Sequence, residues 1–390
     1  PEVIRRQVVT EMDEVNFINK PVVPFIKVTQ DRVVLELMRG CIRGCRFCQA
    51  GFVYRPLREH SVEYLKNYAF TMLEITGAEE ISLSSLSSSD YSNLGKLLEF
   101  LIEYTGKHGI NISLPSLRID AFSLDIMKRV QDVKKSSLTF APEAGSQRLR
   151  DVINKGISEE DIIGGAMQAF RGGWNKVKLY FMLGLPTENE DDIKGIPLLC
   201  EKLAEKYYEI PKDERNGKVQ ITASSSFFVP KPFTPFQWAS MLRREEYLER
   251  AYLVKDTLKE QLNKKSIKYQ YHDAEVTILE GVLARGDRKI SKVIEEAYRL
   301  GALYDSWSDR FNNDIWLQAF ENTGIDYEFY TLRKRELDEI LPWAVLDTGL
   351  KEGYLEEELV KAEKGEYTLP CFDGCKRCQV CGGSHDCASL

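Results

Sequence analysis

Residues 39–51 read RGCIRGCRFCQAG and contain three cysteines, Cys41, Cys45 and Cys48, in the spacing C-x-x-x-C-x-x-C. They follow the apolar run RVVLELM at 32–38, which predicts a buried strand. A closed structural metal site normally has four protein ligands, whereas three protein ligands leave one coordination position open for chemistry. Three thiolates this close together suit zinc or an iron–sulfur cluster.

Five more apolar runs follow the first one, and helical patterns lie between them. Helices are predicted from Ser61 to about Ile75, from about Tyr91 to His108 and over 121–132. Strands that alternate with helices predict βαβ units and a parallel sheet. The sequence therefore predicts an α/β fold, either an open barrel or a doubly wound sheet, whose later strands lie at 80–86, 110–115, 136–142, 176–183 and 218–228.

Polar and glycine residues collect where these predicted strands end. Ligands bind at the carboxyl ends of parallel strands in α/β sheets and barrels, so these positions are candidate binding residues. Thr187 and Glu190 are spaced as a capping box for the helix after the fifth strand. The strand-end candidates are Ser84, Ser85, Arg118, Glu143, Gly184 and Pro186.

The 390 residues are 43% hydrophobic and carry a net charge of -7, which is ordinary for a globular chain. An acidic chain has no long-range attraction to nucleic acid or an anionic membrane, although a local basic patch remains compatible with RNA. No apolar run reaches eighteen residues, and the start lacks a signal-peptide core. We expect a cytoplasmic protein with no membrane partner, and further sequence upstream of Pro1.

A second cysteine cluster lies in the tail CFDGCKRCQVCGGSHDC at 371–387. Four of its thiolates fall within eleven residues, which predicts a closed site that holds either a second [4Fe–4S] cluster or structural zinc. Cys200 stands alone in an apolar helical pattern and is predicted to be a core residue. The predicted ligands of the tail site are Cys371, Cys375, Cys378 and Cys381.

The first cluster, with Phe47 directly before its last cysteine and a strand before its first, resembles the motif of the radical S-adenosylmethionine (SAM) enzymes. In that family three cysteines hold a [4Fe–4S] cluster and SAM chelates the open iron. One electron from the reduced cluster then cleaves SAM to methionine and a 5′-deoxyadenosyl radical. The resemblance implies a partial (βα)6 barrel, SAM as a cofactor, and an electron donor such as flavodoxin or ferredoxin.

The resemblance also implies roles for the strand-end residues. Phe47 belongs to the cofactor site, the Ser84–Ser85 segment holds the amino group of SAM, and Glu143 lies near its ribose. Gly184 and Pro186 form the turn near the adenine. Arg118 faces the cofactor carboxylate or the substrate, with a surface salt bridge as the equally weighted alternative.

The amino-acid sequences of several segments resemble those of one subgroup of this family, whose members often carry an N-terminal cobalamin-binding domain. The segments include RGCIRGCRFCQAGFVYRP, EISLSSLSSSDYS, FAPEAGSQRLRDVINKG, KLYFMLGLPTE and FVPKPFTPFQW. That domain would precede residue 1, so cobalamin is expected only through a part outside this chain. The resemblance divides the chain into a linker at 1–30, a core barrel at 31–240, a mainly helical region at 241–365 and a cysteine-rich metal-binding tail at 366–390.

The expected reaction is cobalamin-assisted methyl transfer or a radical rearrangement on an unidentified substrate. One alternative is a methylthiotransferase that modifies tRNA or protein, although such enzymes usually end in a small β-rich RNA-binding domain that this sequence lacks. Another is a non-catalytic factor that binds RNA or protein through zinc sites. Metal analysis separates these two: bound iron indicates the enzyme, and bound zinc indicates the non-catalytic factor.

Overall fold

The structure is a computed structural model that describes residues 3–15, 18–113, 138–373 and 378–381. The predicted helix over 121–132 and the candidate Arg118 lie outside the described residues, as does Cys375.

The first part of the chain forms short strands and two fifteen-residue helices. Short 3-10 turns cover Met12–Glu14 and Ser88–Asp90. The elements up to residue 113 are β1 (Ile4–Arg5), β2 (Val33–Glu36), β3 (Met38–Arg39), α1 (Gln49–Val53), β4 (Arg58–Glu59), α2 (Val62–Thr76), β5 (Glu80–Ser84), α3 (Leu94–His108) and β6 (Asn111–Ser113).

From residue 138 onward, longer strands alternate with helices and a run of helices follows. Further 3-10 turns cover Lys264–Ser266 and Cys371–Asp373. The elements are β7 (Leu138–Glu143), α4 (Gln147–Val152), α5 (Glu159–Arg171), β8 (Lys176–Leu183), α6 (Glu190–Glu209), β9 (Gln220–Phe227), α7 (Arg244–Glu260), β10 (Ile267–Tyr271), α8 (Ala274–Arg285), α9 (Ile290–Arg299), α10 (Asn313–Thr323), α11 (Glu328–Thr331), β11 (Leu346–Asp347) and α12 (Tyr354–Glu363).

The main strands form two parallel sheets, which confirms the predicted α/β, barrel-like fold. One sheet has the order β2-β5-β6 and the other has the order β7-β8-β9-β10. All six predicted strands are present. The sheet continues one strand further than predicted, because β10 pairs in parallel with β9. Its sequence, IKYQY, alternates apolar and polar residues on an edge and gives a weak strand signal.

The core of the second sheet lies between its strands and the helices that connect them. Along β8, Val177, Leu179, Phe181 and Leu183 are buried, and they pack with side chains of α5 and α6. The alternation follows from the two-residue period of a strand. Burying one such side chain contributes about 1.5–3 kcal/mol, so this face is the main anchor that holds the carboxyl ends of β7, β8 and β9 at one edge.

The predicted start of α2 at Ser61 is confirmed, whereas the capping box predicted at Thr187 is wrong. The Ser61 hydroxyl accepts a 3.2 Å bond from the Tyr64 amide and caps α2. At α6 the capping box is formed by Asn189 and Asp192 instead. Thr187 has a φ of 65°, a left-handed conformation within the turn that precedes the helix. The helix therefore starts two residues later than the Thr187 box would place it.

The described residues after β9 are mostly helices, and several segments attach them to the core. β1 pairs in parallel with β11, so residues 4–5 lie against the C-terminal region. Met12 is buried and the Asp13 carboxylate lies 3.0 Å from His60 Nδ1. Among the helices of the described ranges, all are too short or too polar to cross a bilayer.

Candidate metal and cofactor site

The three cysteines of the first cluster lie on the loop between β3 and α1, which we call the cysteine loop (residues 40–48). The Cys48 amide donates a 3.0 Å bond to the Cys45 carbonyl, and Cys48 is the N-cap residue of α1. The Arg43 amide lies 3.4 Å from the Cys41 Sγ. The backbone thus turns so that it presents the three thiols from one short loop.

The thiols influence one another electrostatically. Burial, together with the neighbouring Cys45 and Cys48, raises the pKa of Cys41 to about 12. Burial also raises the pKa of Cys48, with Cys45 adding to the effect and Lys155 opposing it. A group of partly buried thiols of this kind ionises when a cation binds, because the metal supplies the missing positive charge.

The residues of the cysteine loop fit an iron–sulfur cluster, because three thiols leave one coordination position open. In a [4Fe–4S] cube each cysteine binds a different iron atom, so the thiols need only surround a common volume. Three interacting thiols on one loop meet that requirement.

A partly buried ion pair lies beside the loop, and the sequence analysis did not predict one of its members. The Lys155 Nζ donates a 3.0 Å bond to the Glu143 Oε1. Glu143 ends β7 with a φ of 68° after a bulge in the strand pairing. The Lys155 ammonium also lies 5.9 Å from the centre of the Phe47 ring. Lys155 follows the short helix α4 and carries no periodic signal that would have singled it out.

The serine segment after β5 is joined to the cysteine loop through an arginine. The Ser85 and Ser88 hydroxyls lie 3.0 Å apart, and the Ser87 hydroxyl donates to Asp90 at 2.7 Å. The Arg43 Nε in turn donates to the Asp90 carboxylate at 3.0 Å. The predicted Ser84–Ser85 segment therefore lies at the edge of the cysteine loop, while its Ser85 hydroxyl is bonded within the segment.

The turn after β8 is tightly packed. Gly184 has a φ of 84°, and an added Cβ would lie 2.6 Å from the Tyr247 ring. The Gly184 amide donates a 2.9 Å bond to Glu188, and the Arg250 Nε donates to the same carboxylate oxygen at 3.0 Å. Burial raises the pKa of Glu188 to about 7, against the opposing effects of these two donors. Pro186 is half-buried in the same turn.

An apolar cluster joins the strand ends to the cysteine loop. Phe47 packs against it, together with buried residues from the ends of three neighbouring strands: Ala144 after β7, Leu185 after β8 and Phe228 after β9. The carboxyl ends of these strands and the cysteine loop therefore share one wall. The structure brings Phe47, Glu143 and the three cysteines together. Within the part of the chain that the structure describes, Ser84, Gly184 and Pro186 form no hydrogen bond with the three thiols.

The five arginines near the loop have partners within the protein, so they do not form an exposed phosphate-binding patch. Arg39 pairs with Glu36, and Arg43 pairs with Asp90. The others are buried and bond to protein oxygens. Those buried arginines are Arg46, Arg55 and Arg58.

The cysteine-rich tail lies against the cysteine loop. The Cys371 amide donates a 3.0 Å bond to the Ile42 carbonyl. Cys371, Cys378 and Cys381 line one small cavity together with Cys41 and Arg55. Cys371 and Cys378 are free thiols, whereas Cys381 is disulfide-bonded. The two cysteine clusters, 330 residues apart in the sequence, therefore meet in the fold.

Comparison with known proteins gives a family match for part of the chain. Residues 35–199 match the Radical SAM superfamily. An uncharacterized protein of Methanocaldococcus jannaschii is 33% identical over 296 residues, which cover 75% of this chain and 60% of that protein. A protein of the same organism, provisionally named a methylthiotransferase, is 27% identical over 41% of this chain and 37% of its own.

An uncharacterized methyltransferase of Pyrococcus horikoshii is 24% identical over 51% of this chain and 43% of its own. The chain thus spans less than two thirds of the length of each of these relatives. Among solved structures, the radical SAM methyltransferase TsrM from Kitasatospora setae, with cobalamin and a [4Fe–4S] cluster bound, aligns with a TM-score of 0.43 at 10% identity, over 74% of this chain and 61% of its own. The cysteine loop and the Lys155–Glu143 pair lie within residues 35–199, the part of the chain that matches the Radical SAM superfamily.

Proposed function

We propose that this chain is a radical SAM enzyme that reductively cleaves SAM at a [4Fe–4S] cluster held by Cys41, Cys45 and Cys48. The observation that carries the proposal is the set of three interacting thiols on one loop at the carboxyl end of the sheet, inside a matching superfamily domain. When bound and reduced, the cluster supplies the one electron that breaks the sulfonium bond of SAM. A low-potential flavodoxin or ferredoxin supplies that electron.

The protein's own residues bind and orient the cofactor. The Lys155 ammonium is placed beside Cys48, where it attracts the carboxylate of SAM. The Glu143 carboxylate accepts a bond from Lys155, and it would accept hydrogen bonds from the ribose hydroxyls of SAM. Phe47 and the apolar cluster behind it exclude water from the site, so that a carbon radical meets the substrate hydrogen.

The reaction proposed is transfer of a methyl or another one-carbon group, or a radical rearrangement, with cobalamin supplied by a part of the protein outside this chain. A relative named as a methyltransferase supports methyl transfer. A relative named as a methylthiotransferase supports modification of tRNA or protein as the second candidate. The two cysteine clusters, which we propose to be metal sites, favour a reducing compartment such as the cytoplasm.

A second metal centre is proposed for the tail, either an iron–sulfur cluster or zinc. Arg55 is only 2% exposed and, within the described residues, pairs with no carboxylate; it donates to the Gly51 carbonyl, the Tyr354 hydroxyl and the Arg43 carbonyl. A buried guanidinium needs an anion near it. Cys371 and Cys378 line the same cavity, so their metal-bound thiolates would supply that negative charge.

The first experiment is anaerobic. The protein is reconstituted with iron and sulfide, reduced and mixed with SAM, and 5′-deoxyadenosine is quantified. The parent should form it, and the Cys41→Ala/Cys45→Ala/Cys48→Ala triple variant should not. If a parent with an intact, reducible cluster forms none, the proposal is wrong.

Metal analysis tests the tail separately. Iron and zinc are measured in the triple variant, which retains the tail cysteines and the fully buried Cys200. Iron with sulfide indicates a second cluster, and one zinc per chain indicates a structural site. A triple variant that holds neither metal after reduction of its disulfide and reconstitution would contradict the second centre and leave the first proposal standing.

A further inference from the structure

Arg46 lies in the cysteine loop between Cys45 and Phe47, and its guanidinium is fully buried. Each of its five N–H groups has an acceptor. The two on Nη1 donate to the carbonyls of Asp151 and Val152 at the end of α4, at 3.1 and 2.9 Å. The other three donate to α12 and the stretch that follows it, at Glu358, Glu366 and Thr368.

The acceptors in this C-terminal segment (residues 354–371) are themselves fixed. The Glu358 carboxylate is 2% exposed and lies 3.2 Å from the Arg46 Nε. The Thr368 hydroxyl accepts from the Arg46 Nη2 at 3.2 Å and donates to Glu358 at 2.9 Å. The hydroxyl therefore completes a closed ring of three side chains in which each polar group has its partner.

Asn154 makes a second link between the same parts. Its amide nitrogen donates to the Gly44 carbonyl at 3.0 Å and to the Thr368 carbonyl at 3.1 Å. Its amide oxygen accepts from the Thr368 amide at 2.8 Å. Asn154 is buried with a φ of 52° and directly precedes Lys155. The residue that ties the cysteine loop to the C-terminal segment thus also holds the backbone that carries Lys155.

We propose that Arg46, Asn154 and Thr368 are positioning residues, through which the C-terminal segment holds the cysteine loop and Lys155 in the geometry that binds cluster and cofactor. The inference deepens the proposed function and rests on it. Residues more than 200 positions away in the sequence thereby become part of the site. The bonds are directional and buried, so they fix the loop more tightly than apolar packing alone.

The test uses small substitutions in the ring. Thr368→Val keeps the shape of the side chain and removes its hydroxyl, and Thr368→Ser restores the hydroxyl. Glu358→Gln removes the charge opposite Arg46. Glu339→Gln is the matched control, because it breaks the Arg333–Glu339 pair in the same C-terminal region away from the loop.

The main readout is hydrogen exchange of peptides that cover 39–51 and 151–157, measured on protein without added iron. Thr368→Val and Glu358→Gln should speed exchange in both peptides at least tenfold, while Thr368→Ser and Glu339→Gln stay within twofold of the parent. After reconstitution, the first two variants should also lose the change that SAM produces in the electron paramagnetic resonance signal of the reduced cluster. Their KM for SAM should rise at least fivefold, with a smaller effect on kcat.

Unchanged exchange in both peptides for Thr368→Val and Glu358→Gln would overturn the inference. Equally fast exchange across α9 and α10 would also overturn it, because that result marks a general loss of structure. If the parent forms no 5′-deoxyadenosine, the proposed function is wrong. The hydrogen-exchange result then still decides whether these residues position the loop.

Discussion

The ammonium of Lys155 lies 3.0 Å from the Oε1 of Glu143, beside the last cysteine of the loop. Both side chains are about 15% exposed, at 14% and 15%. Lys155 lowers the pKa of Cys48 while Glu143 raises it, so both groups are electrostatic neighbours of that thiol. This ion pair is our proposed contact for the carboxylate and the ribose hydroxyls of SAM.

Replacing Lys155 by Met should weaken SAM binding without loss of the cluster. The change removes the cation for the cofactor carboxylate and leaves Glu143 buried without its partner, so we expect KM for SAM to rise at least tenfold. Iron content should remain that of the parent. The control is Lys194→Met, which breaks an exposed pair with Glu190 on α6. Equal KM values for the two variants would refute the role of Lys155.

Substitutions at Gly145 and Gly164 test how closely the start of α4 approaches the backbone of α6. A Cβ on Gly145 would lie 2.3 Å from the Ile196 amide nitrogen, whereas one on Gly164 meets no atom within 4 Å. Gly145→Ala should therefore force the start of α4 away from α6 and lower the free energy of unfolding by about 3 kcal/mol. Gly164→Ala, on the exposed face of α5, should raise it by about 0.5–1 kcal/mol.

Urea unfolding followed by circular dichroism measures both changes. If Gly145→Ala is as stable as the parent, α4 and α6 do not approach each other as closely as the structure indicates.

The sequence predicted the parts of the site that depend on local pattern. The three cysteines, the strand they follow and Glu143 at a strand end are all readable from spacing and periodicity. Lys155 and Arg46 were not predicted in their present roles, because their partners lie in distant parts of the chain. Arg46 in particular has the local appearance of a solvated loop charge, and only the C-terminal segment makes it a buried residue.

The turn after β8 also shows that local sequence alone does not determine which residues cap a helix. Thr187 and Glu190 have the residue types of a capping box, yet Asn189 and Asp192 form it. The choice is made by Arg148, whose side chain donates to the Thr187 carbonyl at 2.7 Å and to the Asp192 carboxylate at 3.3 Å. Two overlapping local signals were thus resolved by a contact from another helix, which a single window of sequence does not contain.

Cys48 and Cys200 give a matched test of the metal site. Cys48→Ala should cut the iron bound after reconstitution by the equivalent of one cluster, because a cube held by two cysteines is open to solvent and is lost. Cys200→Ala should keep the parent's iron content. Cys200 is fully buried in the core of the second sheet, so its substitution should cost about 1 kcal/mol of stability through the small cavity left behind.

Iron and sulfide are quantified for each variant, and the midpoint of its urea unfolding is measured as well. Equal iron in the parent and in Cys48→Ala would mean that the loop does not hold the cluster.

The Glu188 carboxylate should make the protein less stable as the pH rises from about 4.5 to 7. Its pKa is about 7 in the fold, mainly because of burial, against 4.5 for the unfolded chain. Between these values the folded state binds more protons than the unfolded state, so stability falls with increasing pH across this window. A shift of this size corresponds to an upper limit on the order of 3 kcal/mol, which is fully expressed above pH 7.

The measurement is urea unfolding of the parent and of Glu188→Gln at pH 5, 6, 7 and 8. Gln keeps an oxygen that accepts from the Gly184 amide and has no proton to lose, so the parent should become less stable relative to this variant as the pH rises. Glu190→Gln is the control, because Lys194 lowers the pKa of that exposed carboxyl and its titration lies below the window. A parent that instead gains stability over Glu188→Gln between pH 5 and 8 would show that the bonds from Arg250 and Gly184 outweigh burial, and that Glu188 is ionised throughout.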